Sequence, residues 1–406
     1  MTSDPLIDTV SGHYQRWMYP EPIFDLPAWL ETDWQWFDPS HSHRMFWPQR
    51  EEVSELDILV AGCGTNQGAV LAYTNPSARV VAIDVSEPGL NHHEQLKRKY
   101  GLENLELVLL PIEDVKSLSR DFDLIVSTGV LHHMAEPVAG MTVLANCLRA
   151  DGVAAIMLYA RNGRSGLEML QGAFREVGLS DDQASVEMVK EALSLLPHDH
   201  PIQSYLENAP DLQFDAGLVD TFLHVRERSY TVDECRALVA SSGLAFNDWF
   251  LKRPYYPPVS AGSAFESSVA ALPVERQWAV MEAINASNPC HFFTACRKER
   301  AESTYRIDFR TTGFLDYVPS LRYRCEISGA QLCCPGWSQT LDHSELALLQ
   351  AMDGRRTIGE IVAEASTGEW LAQMDVAVQR EFAHDLFRSL WQRDVLAIGL
   401  GAGQGG

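Results

Sequence analysis

Apolar positions along the chain fall into two recurring periods. Ile58, Leu59, Val60 and Ala61 form an unbroken hydrophobic strip, the pattern of a strand buried on both faces of a parallel sheet. Gly62 and Gly64 follow, where the backbone must turn sharply and admit a close neighbour. Residues 66–73 then read as a helix. Strand patterns return at 79–84, 105–110, 122–128, 153–159, 244–251 and 290–296. Helical patterns occupy 87–100, 138–149, 231–242 and 274–286, with Asp151-Gly152 as a turn. Thr231 stands as a helix N-cap with Glu234 three places on. This alternation predicts an α/β fold, a doubly wound seven-stranded mostly parallel sheet.

Three stretches depart from the alternation. Residues 1–52 are aromatic-rich and cut by prolines at 20, 22, 27, 39 and 48, which disfavour long helices. They predict an arm packed on the domain surface, or a lid over a ligand. Residues 161–229 predict a helical insert, with helices at 165–177 and 184–195, on the edge of the sheet where ligand loops emerge. Residues 300–318 read as a polar linker, and 305–400 as a small α+β domain. That domain has a hairpin around Ser328-Gly329, helices at 344–352, 357–365 and 376–392, and a closing strand from Asp394. The tail 399–406 is expected to be disordered.

Composition adds a soluble globular class: 406 residues, 46% hydrophobic and 21% charged. With 32 basic against 55 acidic residues the net charge is −23, which disfavours nucleic-acid and anionic-membrane partners. No segment reaches membrane-spanning length. The eight cysteines form no C-x-x-C pair and lie mostly in apolar runs, so reduced thiols and a cytoplasmic location are expected. His41 and His43 lack partners at ligand spacing, and no metal is assigned.

The glycine turn after the first strand suits two ligand classes. A dinucleotide fingerprint wants Gly-x-Gly-x-x-Gly, but Gln67 holds the third glycine slot, which weakens a nicotinamide reading. Asp84 follows Gly64 by twenty positions, where a carboxylate can accept from two ribose hydroxyls; it can equally cap the next helix.

Ile-Leu-Val-Ala-Gly-Cys-Gly-Thr, then Val-Val-Ala-Ile-Asp, then Phe-Asp-Leu-Ile-Val-Ser-Thr-Gly-Val-Leu-His-His-Met resembles the ordered motifs of class I S-adenosylmethionine (SAM) dependent methyltransferases. The resemblance is close over 55–160 and looser to 299, and implies a methyltransferase domain over 53–299 with SAM as cofactor. It implies that Gly62, Cys63 and Gly64 lie against the methionine part, that Asp84 and Val85 meet the ribose, and that Ile112 and Glu113 flank the adenine. Thr128 through His133 would face the transferred methyl. Val60, Asn66 and Pro111 depart from the family pattern. The run from Leu341 to Val362 resembles PqqD-like and winged-helix domains, which implies a peptide or dimer contact.

If the acceptor is a hydroxyl or ammonium, a base must take its proton, and His132 or His133 is placed for that; both can instead shape the wall. His224, Arg226, Arg228 and Tyr230 cluster in the insert and, with Tyr19 of the arm, are candidates for binding a small-molecule or peptide acceptor. The arginines can equally pair with surface acids. Three functions follow: a SAM-dependent methyltransferase, a nicotinamide-dependent oxidoreductase, or a SAM-binding scaffold whose carboxy-terminal domain recruits a partner.

Overall fold

The computed structural model describes residues 8–51, 55–257, 263–368 and 371–401. The chain divides into two compact units. The first comprises 1–37, 54–249 and 278–299; the second comprises 38–53, 250–277 and 300–406.

The first unit is built on seven strands: β1 (Asp57–Ala61), β2 (Arg79–Asp84), β3 (Leu105–Leu109), β4 (Phe122–Thr128), β5 (Leu148–Tyr159), β6 (Leu244–Trp249) and β7 (Cys290–Arg297). They lie in the order β3-β2-β1-β4-β5-β7-β6. The first five pair in parallel, and β7 runs antiparallel to both β5 and β6. Ile58 through Ala61 are fully buried, as a strand covered on both faces requires. Because β1 sits between β2 and β4, connections leave it in opposite directions, and a crevice opens beyond its carboxyl end.

The turn expected at Asp151-Gly152 lies inside β5. Phe122 pairs with Leu148 and Leu124 with Val153, so the extra residues bulge out of the ladder. A Cβ on Gly152 would stand 2.9 Å from the Phe122 carbonyl, so this bulge needs glycine. The helix before it is correspondingly shorter, Pro137–Asn146.

The insert holds the two predicted helices, at Ser165–Glu176 and Gln183–Ser194. A further helix at Asp215–Phe222, to which the sequence pattern assigned no element, packs Leu218, Val219 and Phe222 against Leu167, Phe174 and Val186. The arm forms short helices at Thr9–Arg16 and Leu26–Thr32, the second with its proline in the first turn. Trp17 packs on the insert's core and its indole N–H donates to the Asp181 carbonyl at 3.0 Å.

The second unit contains β8 (Tyr317–Leu321) paired antiparallel with β12 (Leu396–Leu400). A separate sheet runs β11-β10-β9, from β9 (Glu326–Ser328), β10 (Gln331–Cys334) and β11 (Trp337–Thr340). Helices span His343–Gln350, Ile358–Ala365 and Val376–Gln392, and the first two open on complete capping boxes. The expected linker is partly structured: Phe309 and Phe314 are buried and Tyr317 begins β8. The expected disorder from Gly399 is corrected likewise, since Gly399 and Leu400 pair with Val318 and Tyr317. Residues 402–406 of that tail lie outside the described residues. None of the eight cysteines is in a disulfide. No described helix is long and apolar enough to cross a membrane.

Candidate functional site

A cavity of about 770 Å³ opens beyond the carboxyl ends of β1, β2 and β4. Its floor is the glycine turn. Gly62 (φ +80°) and Gly64 (φ +56°) adopt left-handed backbone that side chains resist. A Cβ on Gly62 would meet Val130 Cγ2 at 2.3 Å, and one on Gly64 would meet Pro20 Cδ at 2.9 Å. The glycines therefore admit neighbouring protein as well as any ligand.

Asp84 ends β2 beside this turn. Its Oδ2 accepts the Gly64 N–H at 2.8 Å and its Oδ1 accepts the Ser86 N–H at 2.8 Å. Burial pushes its carboxyl up to about 6, against the pull of those backbone donors. Each oxygen keeps a second lone pair, so the carboxylate is both fixed in place and able to accept from a ligand hydroxyl. Val85, Ile112, Glu113 and Thr128 line the same end. Burial also raises the Glu113 carboxyl. Cys63 does not line the cavity; its thiol is buried under the turn.

The arm crosses this floor. Thr65 Oγ1 donates to the Pro20 carbonyl at 2.7 Å, and Asn66 Nδ2 donates to the Glu21 carbonyl at 2.8 Å. Asn66 Oδ1 accepts the Ile23 N–H at 2.8 Å. A glycine at 66 could make neither Asn66 contact, which gives a local reason for asparagine there.

Of the histidine pair, only His133 reaches the cavity. Its Nδ1 donates to the Arg226 carbonyl at 2.8 Å, so Nε2 carries the lone pair and finds no hydrogen-bond partner among the described residues. Burial drives its basicity down to about 3. His132 is buried behind it, stacked on the Tyr159 ring at 3.8 Å.

The insert closes the far end. Arg226 lines the cavity and pairs with Asp8 of the arm at 3.1 Å. Tyr19 also lines it and donates to Asp211 at 2.7 Å. The remaining predicted acceptor residues stand outside. Arg228 is exposed, 3.7 Å from Glu234; Tyr230 is buried, its backbone bridged to Ala160 just past the end of β5; His224 sits behind His133, ring centroids 3.8 Å apart. Residues that the sequence did not single out complete the wall: Asp8, Tyr14, Tyr159, Arg164, Tyr205 and Asp211. Arg164 is fully buried, pairs with Glu227 at 2.9 Å, and lies 3.5 Å from the Tyr159 ring centroid. Tyr159 had a usable signal, an aromatic at the ligand end of a predicted strand. Asp211 had none.

Residues 52–198 match the family described as a methyltransferase domain. That span begins just ahead of β1 and ends within the insert. An uncharacterized protein of Synechococcus sp. is 30% identical over 251 residues, 60% of this chain and 60% of its own length. The tRNA U34 carboxymethyltransferase of Shewanella denitrificans is 31% identical over 132 residues, 32% of this chain and 37% of its own. The chain thus matches about 60% of the length of the first of these relatives and 37% of the second. Among solved structures, PKMT2 from Rickettsia typhi superposes with a TM-score of 0.65 at 14% identity, covering 94% of this chain and 77% of that one. At that identity the likeness shows the fold.

Proposed function

We propose that this protein is a SAM-dependent methyltransferase acting on a small-molecule or peptide acceptor held beneath the insert. The observation that carries the reading is Asp84, a buried carboxylate held by the Gly64 and Ser86 N–H groups at the floor of the cavity. The methyltransferase-domain match over 52–198 supports it, as does the structure of PKMT2 from Rickettsia typhi in complex with AdoHcy, the demethylated product.

Bound SAM supplies an electrophilic methyl on a sulfonium. The chain's own residues position the partners. Gly62, Gly64 and Asp84 hold the donor's amino-acid and ribose parts, and Ile112 and Glu113 flank its base. Carboxylates on that wall favour a cationic donor. Thr128 and His133, at the end of β4, face the methyl. His133 keeps Nε2 unprotonated at neutral pH, and with its basicity driven down to about 3 it serves as a hydrogen-bond acceptor that orients a hydroxyl or amine rather than as the base that keeps its proton. Tyr19, Tyr205 and Asp211 offer polar contacts to the acceptor. Arg164 and Arg226 are each already paired with a carboxylate, so among the described residues these two lining cations are neutralised rather than held open for an anionic substrate. The arm, tied across the glycine turn, acts as the lid that excludes water. The part of the second unit from Tyr317 to Leu400, with the helices His343–Gln350, Ile358–Ala365 and Val376–Gln392 and two small sheets, is read as a winged-helix-like module for a peptide or a second chain.

Calorimetry with SAM, its demethylated product and NAD tests the donor. Binding of the first two and not the third is expected; NAD binding alone would end the reading. Mass spectrometry of extracts with and without the protein then identifies the methylated species. Donor binding with no methylated species would favour the scaffold.

A further inference from the structure

Behind the cavity wall formed by Tyr14 and His133 lies a cluster that methyl transfer does not use. His13 comes from the arm helix Thr9–Arg16, Asp220 from the insert helix Asp215–Phe222, and His224 from just beyond it. One donor atom from each lies within 4.8 Å of the other two. All three side chains are buried, at 0%, 1% and 8% exposure. Neither ring nitrogen of His13 and not the Nε2 of His224 has a hydrogen-bond partner among the described residues. Buried polar nitrogens left without partners are costly, and since Asp181 faces His13 Nδ1, a fold that assembles the other two, His13 Nε2 and His224 Nε2, points to something that completes them.

We propose that His13, Asp220 and His224 bind one divalent first-row transition-metal ion, which clips the arm to the insert and fixes the Tyr14–His133 face of the cavity. Two imidazoles and one carboxylate form a donor set for such ions, and a poor one for magnesium or calcium, which take oxygen ligands. The surroundings supply the supports that ligating groups need. Asp181 Oδ2 stands 3.5 Å from His13 Nδ1, a placement that directs the ring proton there and frees Nε2. Tyr14 donates to Asp220 Oδ1 at 2.9 Å, with the Tyr159 hydroxyl 3.5 Å from Oδ2. His224 needs an adjustment. Its Nδ1 accepts the Arg226 N–H at 3.1 Å, which puts the ring proton on Nε2. An ion at Nε2 moves that proton to Nδ1 and displaces the Arg226 amide, so that amide reports on occupancy.

The test uses the full chain, stripped with chelator and titrated with Co²⁺ under reducing conditions. Cys325 and Cys334 hydrogen-bond to one another and are potential scavengers, so the titration is run in a Cys325→Ser/Cys334→Ser background. We expect one Co²⁺ per chain, with the d–d absorption of a nitrogen and oxygen donor set and a rise in melting temperature. His13→Gln and Asp220→Asn should each weaken binding by about 100-fold or more, and Asp181→Asn by about 10-fold. Retained circular dichroism and a retained cooperative melting transition in the metal-free chain identify folded variants. No bound ion, or equal binding by folded His13→Gln, overturns the proposal. The titration needs no methyl donor, so its failure and failure of the methyltransferase reading remain separate results.

Discussion

The Tyr14 phenol donates to Asp220 Oδ1 at 2.9 Å, joining residues 206 positions apart. One belongs to the arm and the other to the insert, so this hydrogen bond joins those from Tyr19 to Asp211 and from Arg226 to Asp8 in tying the two segments together. Burial and the Asp220 charge push the Tyr14 hydroxyl well above its ordinary value, so it remains a donor at any working pH. Tyr14→Phe removes the donor without changing shape. A loss of about 1–3 kcal/mol is expected, because the buried carboxylate keeps its desolvation cost. Urea denaturation measures it; an unchanged midpoint would show that the contact carries nothing.

Asp84→Asn keeps the volume and removes the charge. Its side-chain amide also presents an N–H toward the Gly64 or Ser86 N–H, which both need acceptors. Loss of a charge-assisted contact to the ribose and of the attraction to a cationic donor predicts affinity weaker by about 10- to 100-fold. Calorimetry with the demethylated product, which lacks the sulfonium charge, separates the two contributions. Equal affinities in wild type and variant would remove Asp84 from the donor site.

Asp84 also sets a pH dependence. Burial raises its carboxyl from the ordinary 3.8 to about 6. The folded chain then holds a proton that the unfolded chain has already released, so this group's stabilising contribution is full below 3.8 and is lost as pH rises through about 6. Donor binding runs the other way, since a cationic ligand needs the carboxylate. SAM affinity should rise up to about tenfold per unit as pH approaches 6 from below, then level off. Calorimetric titrations between pH 5 and 8 check this, with Asp84→Asn flat as the control.

Arg164 and Glu227 form a buried pair at 2.9 Å, with the guanidinium over the Tyr159 ring. Glu227→Gln leaves a cation buried without its counter-charge and should cost about 3–5 kcal/mol. The double change Arg164→Met/Glu227→Leu should cost less than Glu227→Gln alone, because no orphaned charge remains. Denaturant midpoints of the three chains decide this. A double variant less stable than the single would show that the pair stabilises by itself.

Gly64→Ala tests the floor. The substitution forces a Cβ onto left-handed backbone and to 2.9 Å from Pro20 Cδ, with the Tyr19 carbonyl at 3.2 Å. The arm must lift for the side chain to fit. Faster proteolysis within the arm, together with weaker donor binding, is the expected result; an arm as protected as wild type would contradict it.

The sheet was legible because its strands are covered on both faces. Burial on both sides demands unbroken apolar runs, and Ile58 to Ala61 and Val80 to Ile83 are such runs in any order of reading. The capping box at Thr231 and Glu234 was legible because it is local, four residues that satisfy one another. That Gly62, Gly64 and Asp84 come together was legible for the same reason, since they sit at the ends of recognisable strands. The strand through Asp151-Gly152 was not, because a turn signal and a glycine bulge look alike until the neighbouring Phe122 carbonyl is in place.

Sequence alone therefore determined the α/β layering and the position of the glycine turn, since periodicity and capping act over a few residues. Tertiary structure decided which polar residues meet. Arg228 and Tyr230 lie two positions apart, yet one is exposed and the other buried. His13, Asp220 and His224 converge from the arm and the insert, and no spacing along the chain encodes that meeting. The reason is physical: long-range placement is set by which apolar faces bury together, here Trp17 and Phe222 on the insert core, and polar groups are carried wherever that packing puts them.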